Sequence, residues 1–327
     1  MTSSPARHVT RIAAQLIAVA AVLWFAGQAL ARQWHDVARV VAHLHIHWAL
    51  VIAAAIIIFA SYLLLIELWR ILLRASGHSI PFGAAAHVWF VSSLGRYVPG
   101  KVWQLGAMGV MLQKFSVPVA TSTAVALVNV LINTLAGFAV VFIVGARTLA
   151  LPRAVIILLV VLSVGLAVLP VLLPRVATFY TRVTSRTLAL ERLSGRAVWL
   201  TAFGGAGQWC LYGVAFWLFA RGVLGTAPGP ISAYVAAFTG SYLIGFLALF
   251  APGGLVVREL VLAGSLTRLG LFTASDATVL AVTSRLWLTV LEVVPGLLLL
   301  ARRRAAMPDA SPATALESQP SRTRRIP

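Results

Sequence analysis

Apolar residues in this chain come in long runs separated by short polar gaps. A helix crossing a bilayer needs about 20 mostly apolar residues. Uninterrupted runs of that size cover 12–31, 48–69, 118–146, 154–173, 197–220 and 277–301. Each predicts a spanning helix. Arg7 and Arg11 precede the first run, and Ala29-Leu30-Ala31 looks like a cleavage site. Because a signal peptide's apolar core is only about 7–15 residues, a retained helix is predicted, with a cleaved signal as the alternative. Two further runs are broken. In 82–112 the sequence Gly95-Arg96-Tyr97-Val98-Pro99-Gly100-Lys101 interrupts the apolar pattern, and in 231–268 Ala251-Pro252-Gly253-Gly254 does so. A polar linker is expected over 174–196, and 305–327, rich in Ala, Ser, Pro and Arg, reads as a disordered tail.

Composition agrees with the pattern. Of 327 residues, 60% are hydrophobic and 10% charged. Soluble domains carry roughly 25% charged residues, so an ordinary water-soluble protein is excluded. The net charge of +18 is spread through the gaps between apolar runs. That placement sets membrane orientation and attracts anionic lipid; no nucleic-acid partner is expected. The single cysteine, Cys210, leaves no disulfide within the chain.

The two broken segments are related. At an offset of 153, Val98-Pro99-Gly100-Lys101 lies over Ala251-Pro252-Gly253-Gly254. Trp48 and Trp199 are 151 apart, as are Arg70 and Arg221. The chain reads as two halves, each ordered helix, helix, broken segment, helix. If each half crosses the membrane an odd number of times, the second is inverted. With the N-terminus in the cytoplasm, that arrangement puts 12 arginines on the cytoplasmic side and five opposite, counted next to the spans. This is the sense of the positive-inside rule. Inverted repeats with broken helices are a recurrent transporter plan.

A Pro-Gly break at membrane depth frees backbone groups that lipid cannot satisfy, so such backbone must face protein or a water-filled cavity. A helix restarting after Pro99-Gly100 offers N–H groups and a positive dipole end. Arg96 and Lys101 flank that break and suit a phosphate or carboxylate. Gly253 and Gly254 mark the second, with Arg258 and Glu259 about one turn into the next helix. Alternatives stay open. Arg96 and Lys101 snorkelling beside Tyr97 fit the first motif, and a plain loop between short spans fits either break.

Ser93-Leu94-Gly95-Arg96-Tyr97-Val98-Pro99-Gly100-Lys101-Val102-Trp103 resembles the signature of the lysylphosphatidylglycerol synthetase-type transmembrane, or flippase-like, domain family. Pro252-Gly253-Gly254-Leu255-Val256-Val257-Arg258-Glu259 is similar to its second signature, Pro-Gly-Gly-x-Gly-x-Arg-Glu, with Val256 where the family usually has glycine. The resemblance covers about residues 10–302. It implies an integral inner-membrane protein that moves, or helps to move, a lipid between leaflets. Bifunctional members carry a soluble aminoacyl-transfer domain after the membrane part; the 23 residues beyond 304 lead us to expect no such activity here.

Other polar residues sit within apolar runs. Glu67 lies three residues before Arg70, which suits a local ion pair. Arg285 and Glu292 are seven apart on one helix face, either a structural bridge or part of a lipid path. Asn129 and Asn133 are four apart and suit interhelical hydrogen bonds. Glu259 reads as a proton or head-group site, or as a bridge to a nearby arginine. His43, His45 and His47 lack a further ligand at metal spacing, so no metal is expected. No Walker A loop, His-Glu-x-x-His or Gly-x-Ser-x-Gly motif is present, and no cofactor is expected.

The expected architecture is an all-α polytopic membrane protein of two inverted repeats, about 12–146 and 154–301, within a single domain over 1–304. Each repeat has three transmembrane helices and one Pro-Gly-broken segment, re-entrant or a pair of short helices. That makes six full spans, two broken segments and up to about ten helical pieces. Both termini are expected in the cytoplasm, with the tail 305–327. The expected function is a lipid flippase for an anionic or otherwise polar-headed lipid, either a phospholipid or a polyprenyl-linked glycolipid. Candidate substrate-binding residues are Arg96, Tyr97, Pro99, Gly100, Lys101, Gln104, Pro252, Gly253, Gly254, Arg258, Glu259, Arg285 and Glu292; no catalytic residue is expected. A non-transporting subunit serving a separately encoded lipid-modifying enzyme is an alternative. A membrane-bound transferase using Asp36 is another. A second copy of the chain is a further candidate partner.

Overall fold

The computed structural model describes residues 46–97, 103–145, 148–149, 151–184, 193–248, 254 and 256–305. Regular structure among them is helical: α1 (Trp48–Ala75), α2 (Phe82–Ser93), α3 (Trp103–Leu112), α4 (Val119–Val140), α5 (Arg153–Thr184), α6 (Gly195–Leu224), α7 (Ile231–Leu247), α8 (Val257–Arg268) and α9 (Ala274–Ala305). A π-turn over Val141–Gly145 prolongs α4, and a 3-10 turn over Leu94–Tyr97 closes α2. The run 12–31 lies outside the described residues.

Local chemistry sets the helix ends. α2, α4 and α7 each begin directly after a proline, namely Pro81, Pro118 and Pro230. Those carbonyls accept the first helical N–H bonds, from Ala85, Ser122 and Ala233 at 2.9–3.0 Å. Ser194 caps α6 by accepting from the Ala197 N–H at 3.2 Å. Gly225, at φ +73°, ends that helix in the left-handed conformation glycine favours. One expectation needs correcting. The polar linker does not start at residue 174: α5 runs through Pro170 and Pro174 to Thr184. Prolines are tolerated inside membrane helices; here they free the carbonyls of Leu166 and Pro170, four residues earlier in each case.

Among the described residues four helices are long and apolar enough to cross a bilayer: α1, α4 with its π-turn, α5 and α9. α6 has 30 residues, about 45 Å at 1.5 Å each. Its glycines and Gln208 make it less apolar, and it is the central helix, packed against α1, α4, α5, α7 and α9. α1 and α6 run antiparallel in close contact. The His47 N–H donates to the Gly222 carbonyl at 2.8 Å. A Cβ on Gly222 would come within 2.9 Å of Val51, and one on Gly204 within 2.4 Å of Leu68. Small residues at such crossings let membrane helices approach closely.

The two broken segments are helical hairpins. In the first, a Cβ on Gly95 would lie 2.9 Å from the Gln104 backbone nitrogen. At the other end Ala84 and Val88 of α2 share a groove with Met111 of α3 and with Lys114. α2 and α3 are therefore antiparallel. In the second, a Cβ on Gly254 would lie 2.7 Å from the Gly245 carbonyl oxygen. Opposite, the Tyr234 and Phe272 rings meet at 6.2 Å. The four short helices have 12, 10, 17 and 12 residues. At 1.5 Å per residue each falls short of a hydrocarbon core about 30 Å thick. The hairpins pack crosswise: Gly296 of α9 abuts the Phe90 carbonyl of α2, and Gly145, in the π-turn after α4, abuts Ala236 of α7.

Candidate functional site

A cavity of about 250 Å³ lies between the hairpins and the long helices. Its walls come from Tyr62 and Trp69 on α1, Trp89 on α2, Gln104 and Met108 on α3, and Asn129 and Asn133 on α4. Across from these stand Gln208, Trp209 and Tyr212 on α6, Tyr242 and Gly245 on α7, Gly254 at the second break, Arg258 on α8, and Arg285 and Glu292 on α9. Tyr62, Asn133 and Gln208 sit near the middle of their helices. The polar groups are thus gathered where a spanning helix is farthest from water.

Arg258 is the central charge. It is 4% exposed, and its guanidinium lies 4.8 Å from the Phe238 ring centroid and 4.6 Å from that of Tyr242. Desolvated cation–π contacts contribute about 2 kcal/mol or more. The Nη2 group of Arg258 is buried and makes no hydrogen bond among the described residues. Gly245 permits this placement, because a Cβ there would stand 2.8 Å from that of Arg258. Next to it, Glu259 of α8 and Arg285 of α9 form an ion pair at 3.6 Å, with both side chains 16% exposed. At that separation the carboxylate is attracted to the guanidinium without a hydrogen bond.

The neutral wall is built where α4 meets α6. The Trp209 indole N–H donates to the Asn133 backbone carbonyl at 2.8 Å. The Asn133 Oδ1 and Gln208 Oε1 atoms are buried without a hydrogen-bond partner among the described residues. Trp209 and Tyr242 meet at 5.2 Å, and Tyr242 is also one of the two rings beside Arg258.

Gln104, Gly254, Arg258, Arg285 and Glu292 come together on this one cavity. Glu259 lies beside it as the partner of Arg285. Arg96 and Tyr97 belong to the 3-10 turn at the tip of the first hairpin. Pro99, Gly100, Lys101, Pro252 and Gly253 lie outside the described residues, as do His43 and His45. Arg285 and Glu292 both line the cavity, and Arg285 pairs with Glu259 on the neighbouring helix. Glu67 is held by Arg70 and Arg74, a local cluster. Asn133 does link two helices, but through its backbone. Sequence reasoning passed over Gln208 and the aromatic walls. Gln208 was the available signal, a lone amide in a run treated as uninterrupted. Among the described residues no three metal-ligating side chains cluster.

Long apolar helices, two short-helix hairpins and a mid-depth polar cavity define an integral membrane protein. The chain belongs to the lysylphosphatidylglycerol synthase TM region family, whose model matches residues 12–296. No curated protein matches it in a sequence comparison.

Proposed function

We propose that this protein moves a polar-headed, phosphate-bearing lipid between the leaflets of the plasma membrane, with the head group passing through the central cavity. The observation that carries this reading is Arg258, a mid-membrane guanidinium held between two rings with Nη2 uncommitted. Intramembrane charges are costly and mark substrate or ion paths. A phosphate at Nη2 satisfies that donor and keeps its own charge out of hydrocarbon. Residues of the two Pro-Gly motifs are assigned to the same head group as further contacts: Arg96, Tyr97 and Lys101 from the first, Pro252, Gly253 and Gly254 from the second. Arg285 and Glu292 line the head group's route, and Glu259 restrains Arg285.

In this reading both hairpins are re-entrant, entering and leaving on one side, and the halves are inverted repeats. The antiparallel contact of the equivalent helices α1 and α6 supports inversion. So do the crosswise contacts of the hairpins, α2 with α9 and α7 with the end of α4. The acyl chains stay in lipid while one half rocks against the other. No covalent step is assigned. Both termini face the cytoplasm: a periplasm-dependent reporter fused after Arg304 stays inactive, and activity there contradicts the inverted arrangement.

The test is lipid movement in proteoliposomes. The purified chain accelerates exposure of fluorescent phospholipid to a membrane-impermeant quencher. Arg258→Gln slows this at least tenfold while the amount of monodisperse protein is unchanged. A wild-type chain that moves no lipid alone supports the subunit alternative, and an active Arg258→Gln removes the cavity from the path.

A further inference from the structure

Glu259 is the buried acid beside the cavity, and its bonding is incomplete. An ionised carboxylate accepts up to about four hydrogen bonds. Both Glu259 oxygens are covered, and neither has a hydrogen-bond partner among the described residues. Its charge is held by the attraction of Arg285, across from it on α9 at 3.6 Å. Removing the cation from such a pair leaves a carboxylate in low-dielectric surroundings, where the group takes a proton instead. Arg285 also lines the cavity. The same guanidinium therefore serves Glu259 and the route proposed for the head group. Helices α7 and α9 pack against α8. The other charged and titratable groups on the cavity are Arg258 of α8, Tyr242 of α7, Glu292 of α9, Tyr62 of α1 and Tyr212 of α6.

We infer that Glu259 is a proton site coupled to the lipid: an anionic head group enters together with one proton, which Glu259 carries. This rests on the proposed transport site and adds its driving force. A phosphate offers the Arg285 guanidinium two oxygens in bidentate geometry, which the 3.6 Å pairing with Glu259 does not provide. Two anions sharing one cation do not both stay ionised where water is scarce. The phosphate is the stronger acid, so the proton goes to Glu259. It comes from water on the side to which the cavity is open: carboxylate and proton form a neutral carboxyl, and no other covalent bond changes. When the lipid leaves, Arg285 returns to Glu259 and the proton is released on the other side. A monoanionic lipid and a proton cross as a neutral pair, so a pH difference drives the lipid from the acidic to the alkaline leaflet. Acids within the membrane are recurrent proton carriers in transporters. Linkage requires the converse too: a proton on Glu259 tightens lipid binding by the same factor.

Vesicles reconstituted with the full chain and fluorescent phosphatidylglycerol, under a clamped pH difference, test this. At steady state a membrane-impermeant quencher reads the share of lipid in each leaflet. The wild type shifts the ratio between leaflets about tenfold per pH unit toward the alkaline side, relative to protein-free vesicles and for either direction of the gradient. Glu259→Gln, a copy of the protonated form, moves lipid with a ratio that ignores the gradient. Proton uptake is a second readout, independent of whether the variant moves lipid. In weakly buffered detergent solution, across a pH series, uptake by the wild type peaks near about one proton per phosphatidylglycerol bound, and Glu259→Gln takes up none. Wild-type lipid movement without a gradient response overturns the coupling and leaves the transport site standing. A gradient response or proton uptake that survives Glu259→Gln overturns the assignment to Glu259. A wild-type chain that moves no lipid removes the proposed function, and this inference with it.

Discussion

At the scale of single residues, one position is strained beside another that gains from it. Val256 immediately precedes α8 at φ +71°, ψ −48°. For a β-branched residue this is a true outlier, close to the rare γ-turn, and such backbone costs about 1–3 kcal/mol. It lies two residues before Arg258, so the turn it forces aims the first turn of α8 at the cavity. The signature this segment resembles has glycine at this position, and the backbone conformation fits that: without a Cβ the turn is relaxed. Glycine's greater chain entropy offsets part of the gain, about 0.5–1 kcal/mol. Val256→Gly is therefore expected to raise stability by about 1 kcal/mol. The check is a thermal unfolding series in one detergent, where an unchanged or lower midpoint speaks against strain at this turn.

At the scale of elements, the second hairpin depends on a backbone-to-backbone approach. Gly254, at φ +69°, stands so close to the Gly245 carbonyl that a methyl group does not fit. Gly254→Ala must bend the turn or separate α7 from α8, at a cost of about 1–3 kcal/mol from overpacking. We expect a lower unfolding midpoint together with lost lipid movement, because the shift also carries Arg258 off Phe238 and Tyr242. Retained movement at wild-type rate would show that the tight turn does not set the site. These elements were legible to different degrees. Apolar runs announced α1, α4, α9 and both hairpins, since period-free hydrophobicity is a strong signal for membrane helices. The end of α5 was not legible, because proline reads as a stop in isolation and the tertiary setting permits it within a membrane helix. Arg258, Arg285 and Glu292 stood out as charges in apolar sequence. Gln208 and the aromatic walls did not, because a lone amide and a Tyr or Trp are common in any helix. The partnership of Glu259 with Arg285 crosses two helices, so no spacing along the chain encodes it.

At the scale of the whole molecule, α1 and α6 cross antiparallel at the centre while each hairpin leans on the other half's last helix. The cavity is lined from both halves and lies on their seam, so a tilt of one half against the other must also shift these crosswise contacts. The proposed transport requires that seam to open to each side in turn. Accessibility of the cavity is the most direct measurement. With Cys210→Ala as background and Asn129→Cys as the single thiol, an impermeant thiol reagent is applied to right-side-out and to inside-out vesicles. The account predicts modification from both sides, slowed in each case by added phospholipid ligand. Modification from one side only, or from neither, contradicts it.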